Sequence, residues 1–257
     1  MNKEKLLELF NKHMRIEITY PGSRVEQAES VVRQVSLSNE RGFILFSKMN
    51  ESTADAIIEE QITYFNNLKQ SFEWKVFDYD QPLDLRERLR SRGFDIEEQE
   101  ALMIMDLAEG DQLLNILLKP EIRRVTDVQG IWDIIKLEDD VWGVSHQALG
   151  ERLVQDLHDD PANFFAYAAY VDGKVVSAAW MYLHEGTPFA SLWGGSTLAD
   201  FRKRGLYSSL LGIRARDAAE KGYQLLMVDA SSMSEPILEK HGFHCLARST
   251  PCMSPRY

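Results

Sequence analysis

The stretch of sequence that decides the fold runs Thr197-Leu-Ala-Asp-Phe-Arg-Lys-Arg-Gly-Leu-Tyr-Ser-Ser-Leu-Leu211. It joins a strand-like apolar run to a helical pattern, and its glycine, Gly205, follows three cations, Arg202, Lys203 and Arg204. The first N–H groups of a helix have no intrahelical acceptor, and the helix dipole adds partial positive charge there. Glycine lets such a backbone approach an anion closely. The stretch therefore predicts a phosphate-binding turn, with a merely solvated basic turn as the alternative.

The segments around this stretch predict a mixed α/β fold, with a central mixed sheet and flanking helices. Asp172-Gly173 predicts a two-residue hairpin, because both central positions of that turn need positive φ. Gly194-Gly195 inside a predicted strand indicates a bulge or a close backbone approach, with close sheet packing as the alternative. In the second half, strands are predicted at 122–125, 164–171, 174–183, 189–197 and 225–228, and helices at 130–137, 148–157, 206–221 and after Ser232 or Ser234.

The first half shows a similar succession of elements. An opening helical pattern is followed by predicted strands at 42–46, 74–79 and 101–107 and by helices at about 53–69 and just before Gly93. A polar connection, Glu109-Gly110-Asp111, and then Pro120 indicate a boundary between the halves. The predicted domains are residues 1–112 and 118–257.

Composition excludes several classes of protein. The 257 residues carry a formal net charge of -11, which argues against nucleic acid as the main partner. No apolar run approaches the roughly 18 residues of a membrane span, and no apolar signal core follows the first residues. The two cysteines, Cys245 and Cys252, are too few for a disulfide framework. A reduced, cytoplasmic protein is therefore expected.

The order of motifs in the second half resembles that of the GNAT N-acetyltransferase family. Arg202-x-x-Gly205 is similar to the family's pyrophosphate-binding motif, although Tyr207 stands where a small residue is usual. Ser234-x-x-x-Leu238 and Gly242-Phe243 resemble the family's closing helix and turn. The resemblance implies acetyl-CoA, or another acyl-CoA, as co-substrate, and no metal. The residues that it implies for binding the co-substrate are Ser196, Thr197, Leu198, Arg202, Lys203, Arg204, Gly205, Leu206, Tyr207, Ser208 and Ser231.

The resemblance also implies a slot for the pantetheine arm and direct acyl transfer to an amine. In the family, two neighbouring strands splay apart, and the matching strand here carries Gly194 to Thr197. The tyrosine that often protonates the departing thiolate is replaced by Leu238, and an asparagine of the motif is replaced by Ser231. Tyr207, Ser231 and Ser234 are alternative proton donors, and none stands out.

The sequence does not identify a catalytic residue. A protonated amine must lose a proton before it attacks, so a general base is expected. The candidates in the helical region and at a hairpin end are Glu138, Asp139, Asp140, His146, His184 and Glu185, and residues of these types are more often solvated charges than catalysts. Trp142 with Val141 could line an apolar substrate pocket. His241 and His244 straddle a turn, which disfavours a shared metal.

The first half looks like a degenerate copy of the same fold. Arg92-Gly93-Phe94 parallels His241-Gly242-Phe243, and a strand is predicted after each. The helix after Ser52, however, opens without glycine or cation, so no cofactor is expected there. A separate α+β cap is the alternative for residues 1–112.

The sequence thus predicts an N-acyltransferase that moves an acetyl or longer acyl group onto a primary amine of a small molecule or peptide. A catalytically inactive acyl-CoA-binding or interaction module is the alternative, because Leu238 cannot donate a proton. Neither nucleic acid nor a membrane is expected as a partner, and a homodimer is a further expectation.

Overall fold

The computed structural model describes residues 1–37 and 41–255. Two compact units share these residues. The first unit comprises Met1–Met103, Asp229–Pro236 and the segment from Cys245 onward, and the second comprises Ile104–Val228 and Ile237–His244. Each unit is thus assembled from separate stretches of the chain. The predicted domain ranges, 1–112 and 118–257, stay a prediction.

Helices and strands alternate along the chain. The helices are α1 (Lys3–Phe10), α2 (Ala54–Asn67), α3 (Leu85–Ser91), α4 (Asp111–Leu114), α5 (Val128–Trp142), α6 (Gln147–Asp159), α7 (Leu206–Glu220) and α8 (Glu235–Lys240). The strands are β1 (Ser23–Gln27), β2 (Val31–Ser36), β3 (Gly42–Ser47), β4 (Phe72–Phe77), β5 (Asp95–Ile96), β6 (Glu100–Asp106), β7 (Ile122–Val125), β8 (Phe164–Val171), β9 (Lys174–Leu183), β10 (Phe189–Thr197), β11 (Leu225–Ala230) and β12 (His244–Met253).

In the first unit, the strands lie in the order β1-β2-β3-β4-β12, and β5 also pairs with β12. These strands pair antiparallel except β3 with β4, which are parallel and joined through α2. A parallel neighbour requires such a crossover, because a tight turn can only reverse the chain. The core packs α2 and α3 against the strands, with Phe65 stacked on Phe72 and Trp74 and Leu89 fully buried.

In the second unit, the strands lie in the order β11-β10-β9-β8-β7. Only β10 and β11 are parallel, and α7 joins them. Helices α5 and α6 pack on the sheet through an apolar cluster that includes Ile131, Leu153, Phe164 and Trp180. Helix α7 contacts β8, β9 and β10. The predicted mixed α/β fold, with a mixed sheet and flanking helices, is confirmed.

Most predicted elements of the second half have the expected bounds. Strands β7 to β10 begin and end at the predicted residues. Asp172 and Gly173 have the positive φ that the predicted hairpin requires, 50° and 76°. Helix α5 is longer than predicted at both ends: Asp127 caps its start by accepting a hydrogen bond from the Gly130 N–H at 2.8 Å, and the helix continues until Gly143, whose φ is 72°. Helix α8 begins at Glu235, the residue after Ser234.

The two halves repeat one order of elements. Three strands, a crossover helix, a parallel strand, a short helix and a further strand occur as β1-β2-β3-α2-β4-α3-β6 and again as β8-β9-β10-α7-β11-α8-β12. The repeat predicted from the two Gly-Phe turns therefore extends to the whole series of elements. Of the helices in the described ranges, none is both long and apolar enough to cross a bilayer.

Candidate functional site

The cationic turn between β10 and α7 is a tight loop that its own arginines brace. After Thr197 the chain makes one 3-10 turn, and Lys203 and Gly205 then take positive φ of 60° and 80°. Arg202 Nε donates to the Thr197 carbonyl at 3.1 Å, and Arg204 Nη2 donates to the Asp200 carbonyl at 2.7 Å. The three cations and Gly205 are exposed, so their charge faces solvent.

No side chain among the described residues caps the first main-chain N–H groups of α7. Gly205 is the N-cap residue and has no side chain to accept a hydrogen bond, and the first helical bond to it comes from the Ser209 N–H at 3.0 Å. A fourth cation stands nearby, since Lys119 Cε lies 3.5 Å from where a Cβ on Gly205 would be. Within the described ranges, this helix start therefore presents free donors among positive charges, the arrangement that binds anions.

In the first unit, the side chain of Asn50 binds the loop that precedes the equivalent helix, α2. Asn50 Oδ1 accepts hydrogen bonds from the N–H groups of Ser52 at 2.9 Å and Thr53 at 3.1 Å, immediately before α2. Asn50 N–H in turn donates to Thr53 Oγ1 at 3.0 Å. These bonds occupy the amides of the two residues before α2, and the Ala54 N–H donates to the Asn50 carbonyl at 3.0 Å, whereas no side chain of the described residues caps the first turn of α2 itself. The expectation that this entrance binds no pyrophosphate stays a prediction.

Strands β10 and β11 pair only at their beginnings. The parallel register joins Phe189–Ser191 to Leu225–Met227, whereas β10 continues to Thr197. The residues from Leu192 to Thr197 therefore leave one edge of β10 without a ladder to β11 within the described chain. An unpaired strand edge offers main-chain donors and acceptors to a ligand.

The first unit has the same partial pairing, but a side chain occupies it. The β3–β4 register joins Gly42–Ile44 to Phe72–Trp74, and just beyond it Arg15 Nε donates to the Leu45 carbonyl at 2.6 Å. Arg15 is only 2% exposed and forms a two-pronged ion pair with Asp80. In the first unit, the carbonyl just beyond the ladder is thus bound by a buried arginine.

The glycine pair of β10 is required by packing on both of its sides. Gly194 and Gly195 have φ of 69° and 105°, which other residues rarely adopt. A Cβ on Gly194 would collide with the ring of Trp180, and a Cβ on Gly195 would stand 2.8 Å from Tyr207 Cε2. The ladder to β9 shifts register here, as a bulge does. Gly195 therefore makes room for Tyr207, the residue that departs from the family's small one.

Glu138 on α5 stands out among the candidate bases. It is 4% exposed, and its Oε2 accepts hydrogen bonds from Ser196 Oγ at 2.6 Å and Trp142 Nε1 at 3.0 Å. Its Oε1 is buried without a partner. Burial raises the pKa of this carboxyl, although both hydrogen bonds act against that shift. A carboxylate with one oxygen anchored to β10 and the other free can accept a proton from a group bound there.

Comparison with known proteins agrees with this arrangement. Residues 131–243 match the model of the acetyltransferase (GNAT) family. This segment is a GNAT domain. A comparison with curated proteins gave no significant match. The family uses acetyl-CoA as its acyl donor.

Solved structures show that the GNAT fold extends over both halves. A GCN5-related N-acetyltransferase from Kribbella flavida is 14% identical with a TM-score of 0.67, and the match covers 98% of this chain and 94% of that one. A tandem GNAT protein from the clavulanic acid biosynthesis pathway is 10% identical with a TM-score of 0.63, over 94% and 86% of the two chains. A conserved Staphylococcus epidermidis protein of unknown function is 14% identical with a TM-score of 0.68, over 93% and 96%. These likenesses concern the fold, and they confirm a GNAT-like first half.

The other candidate bases of the GNAT domain have different surroundings. Asp139 Oδ1 accepts the His146 N–H at 2.6 Å and lies 3.0 Å from His146 Nδ1, so the two residues pair with each other. Asp140 and Glu185 are exposed. Burial lowers the pKa of His184 to about 4, and its Nε2 lies 2.8 Å from Ser191 Oγ. Of these candidate carboxyls, only Glu138 has a buried oxygen without a hydrogen-bond partner among the described residues.

The remaining predicted site residues fall into two groups. Beside the loop, Thr197 Oγ1 lies 2.7 Å from Ser177 Oγ, and the Leu198 N–H donates to the Val176 carbonyl. Leu206 is buried, and Ser208 Oγ lies 2.9 Å from His241 Nε2. Ser231 belongs to the first unit, where its hydroxyl lies 3.3 Å from that of Ser234. Leu238 is buried at 1% exposure. The described residues contain no group of three or more side chains placed to hold a metal.

Proposed function

We propose that the second unit is an N-acyltransferase that moves an acetyl group from acetyl-CoA to a primary amine of a small molecule or peptide. One observation carries the proposal. The loop before α7 carries three exposed cations and no side chain of the described residues caps the helix, whereas Asn50 occupies two amides of the turn at residues 50–53 before α2, which has no cation. The second unit therefore offers the better site for an anion.

The cationic turn between β10 and α7 supplies the groups that a pyrophosphate needs. The free N–H groups at the start of α7 point along the helix axis, and Arg202, Lys203 and Arg204 add charge in a chain whose formal net charge is -11. The two arginines already brace the loop through main-chain carbonyls, so anion binding requires little rearrangement. When bound, acetyl-CoA supplies an activated thioester carbonyl, and the free edge of β10 supplies main-chain donors toward it.

Glu138 is the proposed general base. Ser196 and Trp142 both donate to Oε2, so Oε1, which is buried without a partner, is the oxygen left to take the proton of an amine, directly or through one water. Burial raises the pKa of the Glu138 carboxyl, and the raised pKa makes its carboxylate a stronger proton acceptor. The exposed face of Trp142 lies beside this carboxylate, and an aromatic face next to a carboxylate suits a cationic amine.

The alternative is an acyl-CoA-binding module without transfer activity. The observation that favours it is Leu238, a buried aliphatic side chain at the position where the family often has a proton-donating tyrosine. Thiol release from acetyl-CoA in the presence of a panel of amines separates the two functions, because a binding module releases none. A cytoplasmic location and a homodimer stay predictions from the sequence.

Binding is tested by unfolding the protein in urea with and without acetyl-CoA. At a concentration about a hundredfold above the dissociation constant, a ligand of the folded state adds roughly 2.7 kcal/mol to the free energy of unfolding. The double variant R202A/R204A should lose most of this gain and keep the unliganded stability, since both side chains are exposed. The double variant R86A/R90A on α3 removes the same charge and should keep the gain. Equal loss in both variants would reduce the effect to net charge.

A further inference from the structure

Arg214 is a buried cation without a carboxylate partner. It lies on α7, is 2% exposed, and forms no ion pair within the ranges that the structure describes. Asp217, one turn further along the helix, instead accepts a hydrogen bond from the Tyr167 hydroxyl. The equally buried Arg15 of the first unit is paired with Asp80. The charge of Arg214 is therefore uncompensated in the protein alone.

The guanidinium of Arg214 is held against the two strands at the β10 bulge. Nη1 donates to the carbonyls of Trp180 at 3.1 Å and Trp193 at 3.2 Å, and Nε donates to Leu210 within α7. Trp180 and Trp193 face each other across the β9–β10 ladder, and Gly194 follows at once. Nη2 makes no hydrogen bond to the described residues.

An isolated buried charge is unfavourable, because desolvation is only partly offset by carbonyl dipoles. Burial lowers the pKa of Arg214 to about 10, which still leaves it protonated at neutral pH. Tyr207 and Tyr167 are the titratable groups that act on it, and both are neutral phenols at that pH. A positive charge thus lies against the carbonyls of Trp180 and Trp193, beside the β10 bulge.

We propose that Arg214 is a positioning residue for acyl transfer: it fixes the β10 bulge and places a positive charge where negative charge develops. The inference rests on the proposed function. During transfer the amine nitrogen forms a bond to the acyl carbon, the carbon–sulfur bond breaks with its electron pair leaving on sulfur, and Glu138 accepts the amine proton. The main-chain N–H groups of the bulge and the Arg214 charge both stabilise the negative charge that develops during acyl transfer.

The test compares R214Q, which removes the charge, with R214K, which keeps it. R216Q is the matched control, because Arg216 lies on the same helix and also donates to main-chain carbonyls, those of Leu114 and Ile116, away from the bulge. We expect R214Q to bind acetyl-CoA within about twofold of the natural chain and to lose at least about tenfold in kcat. Hydrogen exchange of the Gly194 to Ser196 amides, measured without ligand, should become faster in R214Q and not in R216Q.

The pH profile of R214K separates charge from packing. The introduced ammonium is buried, so its pKa falls below the ordinary lysine value, and kcat of R214K should decline toward that of R214Q as pH rises. The natural chain should show no such decline in that range. Equal kcat for both variants at every pH, or unchanged amide exchange at the bulge, overturns the inference. If the natural chain neither binds acetyl-CoA nor releases thiol, the proposed function fails instead, and amide exchange still decides the role of Arg214 at the bulge.

Discussion

The contact between Tyr207 and Gly195 gives the most quantitative prediction. In Gly195→Ala, the new methyl group would stand 2.8 Å from Tyr207 Cε2, and the residue would keep a φ of 105°. Backbone strain of this kind costs about 1–3 kcal/mol, and overpacking a filled site costs about 1–3 kcal/mol more. The free energy of unfolding should therefore fall by about 2–6 kcal/mol.

A double-mutant cycle in urea separates the two terms. Tyr207→Ala removes the ring, so in its background Gly195→Ala should cost only the strain, and the coupling energy should be about 1–3 kcal/mol. Gly173→Ala is the control, because Gly173 has a φ of 76° and nothing within 4 Å of its missing Cβ. The free energy of unfolding of Gly173→Ala should fall only by the cost of backbone strain, about 1–3 kcal/mol.

The reasoning is refuted if Gly195→Ala costs no more than Gly173→Ala and the coupling stays under about 0.5 kcal/mol. That outcome would mean that the tyrosine ring lies elsewhere. The glycine pair would then have to be explained by ligand approach rather than by packing.

Two further predictions concern buried carboxyls. Glu138 acts as a base when it is ionised, and burial raises its pKa, so kcat/KM should rise with pH through a midpoint above the ordinary glutamate pKa. Glu138→Gln should lower kcat by about 10²–10⁴-fold without weakening acetyl-CoA binding. A pH profile of kcat/KM that stays flat would contradict this role. Asp80→Asn leaves Arg15 buried without its counter-ion and should lower the free energy of unfolding by about 3–5 kcal/mol in a urea titration, whereas a loss under about 1 kcal/mol would show that the pair is not desolvated.

Local signals explain why the second half was predicted well. Asp172-Gly173 fixes one hairpin, and the flanking strands are long apolar runs, so β8 and β9 have the bounds that the pattern gives. Strands β1 and β2 were missed, because β1 is mostly polar (Ser-Arg-Val-Glu-Gln) and Arg33 and Gln34 interrupt the valines of β2. Arg33 of β2 stacks on the Tyr64 ring at 3.7 Å, and such a partner from a distant helix cannot be read from a local pattern.

The site was predictable only where its chemistry is contiguous. The cations before Gly205 follow one another in sequence and were found. Glu138 was one candidate among several, because its anchor Ser196 is 58 residues away. Arg214 and Lys119 carried no signal at all: an arginine in an amphipathic helix is ordinarily solvated, and the burial of Arg214 depends on how α7 meets the sheet.

The loop before α2 has a consequence for stoichiometry. A duplicated fold offers two places for a donor molecule, one in each copy. Because the turn at residues 50–53 before α2 has no cation, because Asn50 already binds two of its amides, and because Arg15 with Asp80 stands beside the matching strand edge, saturation on the proposed function should occur at one equivalent per polypeptide.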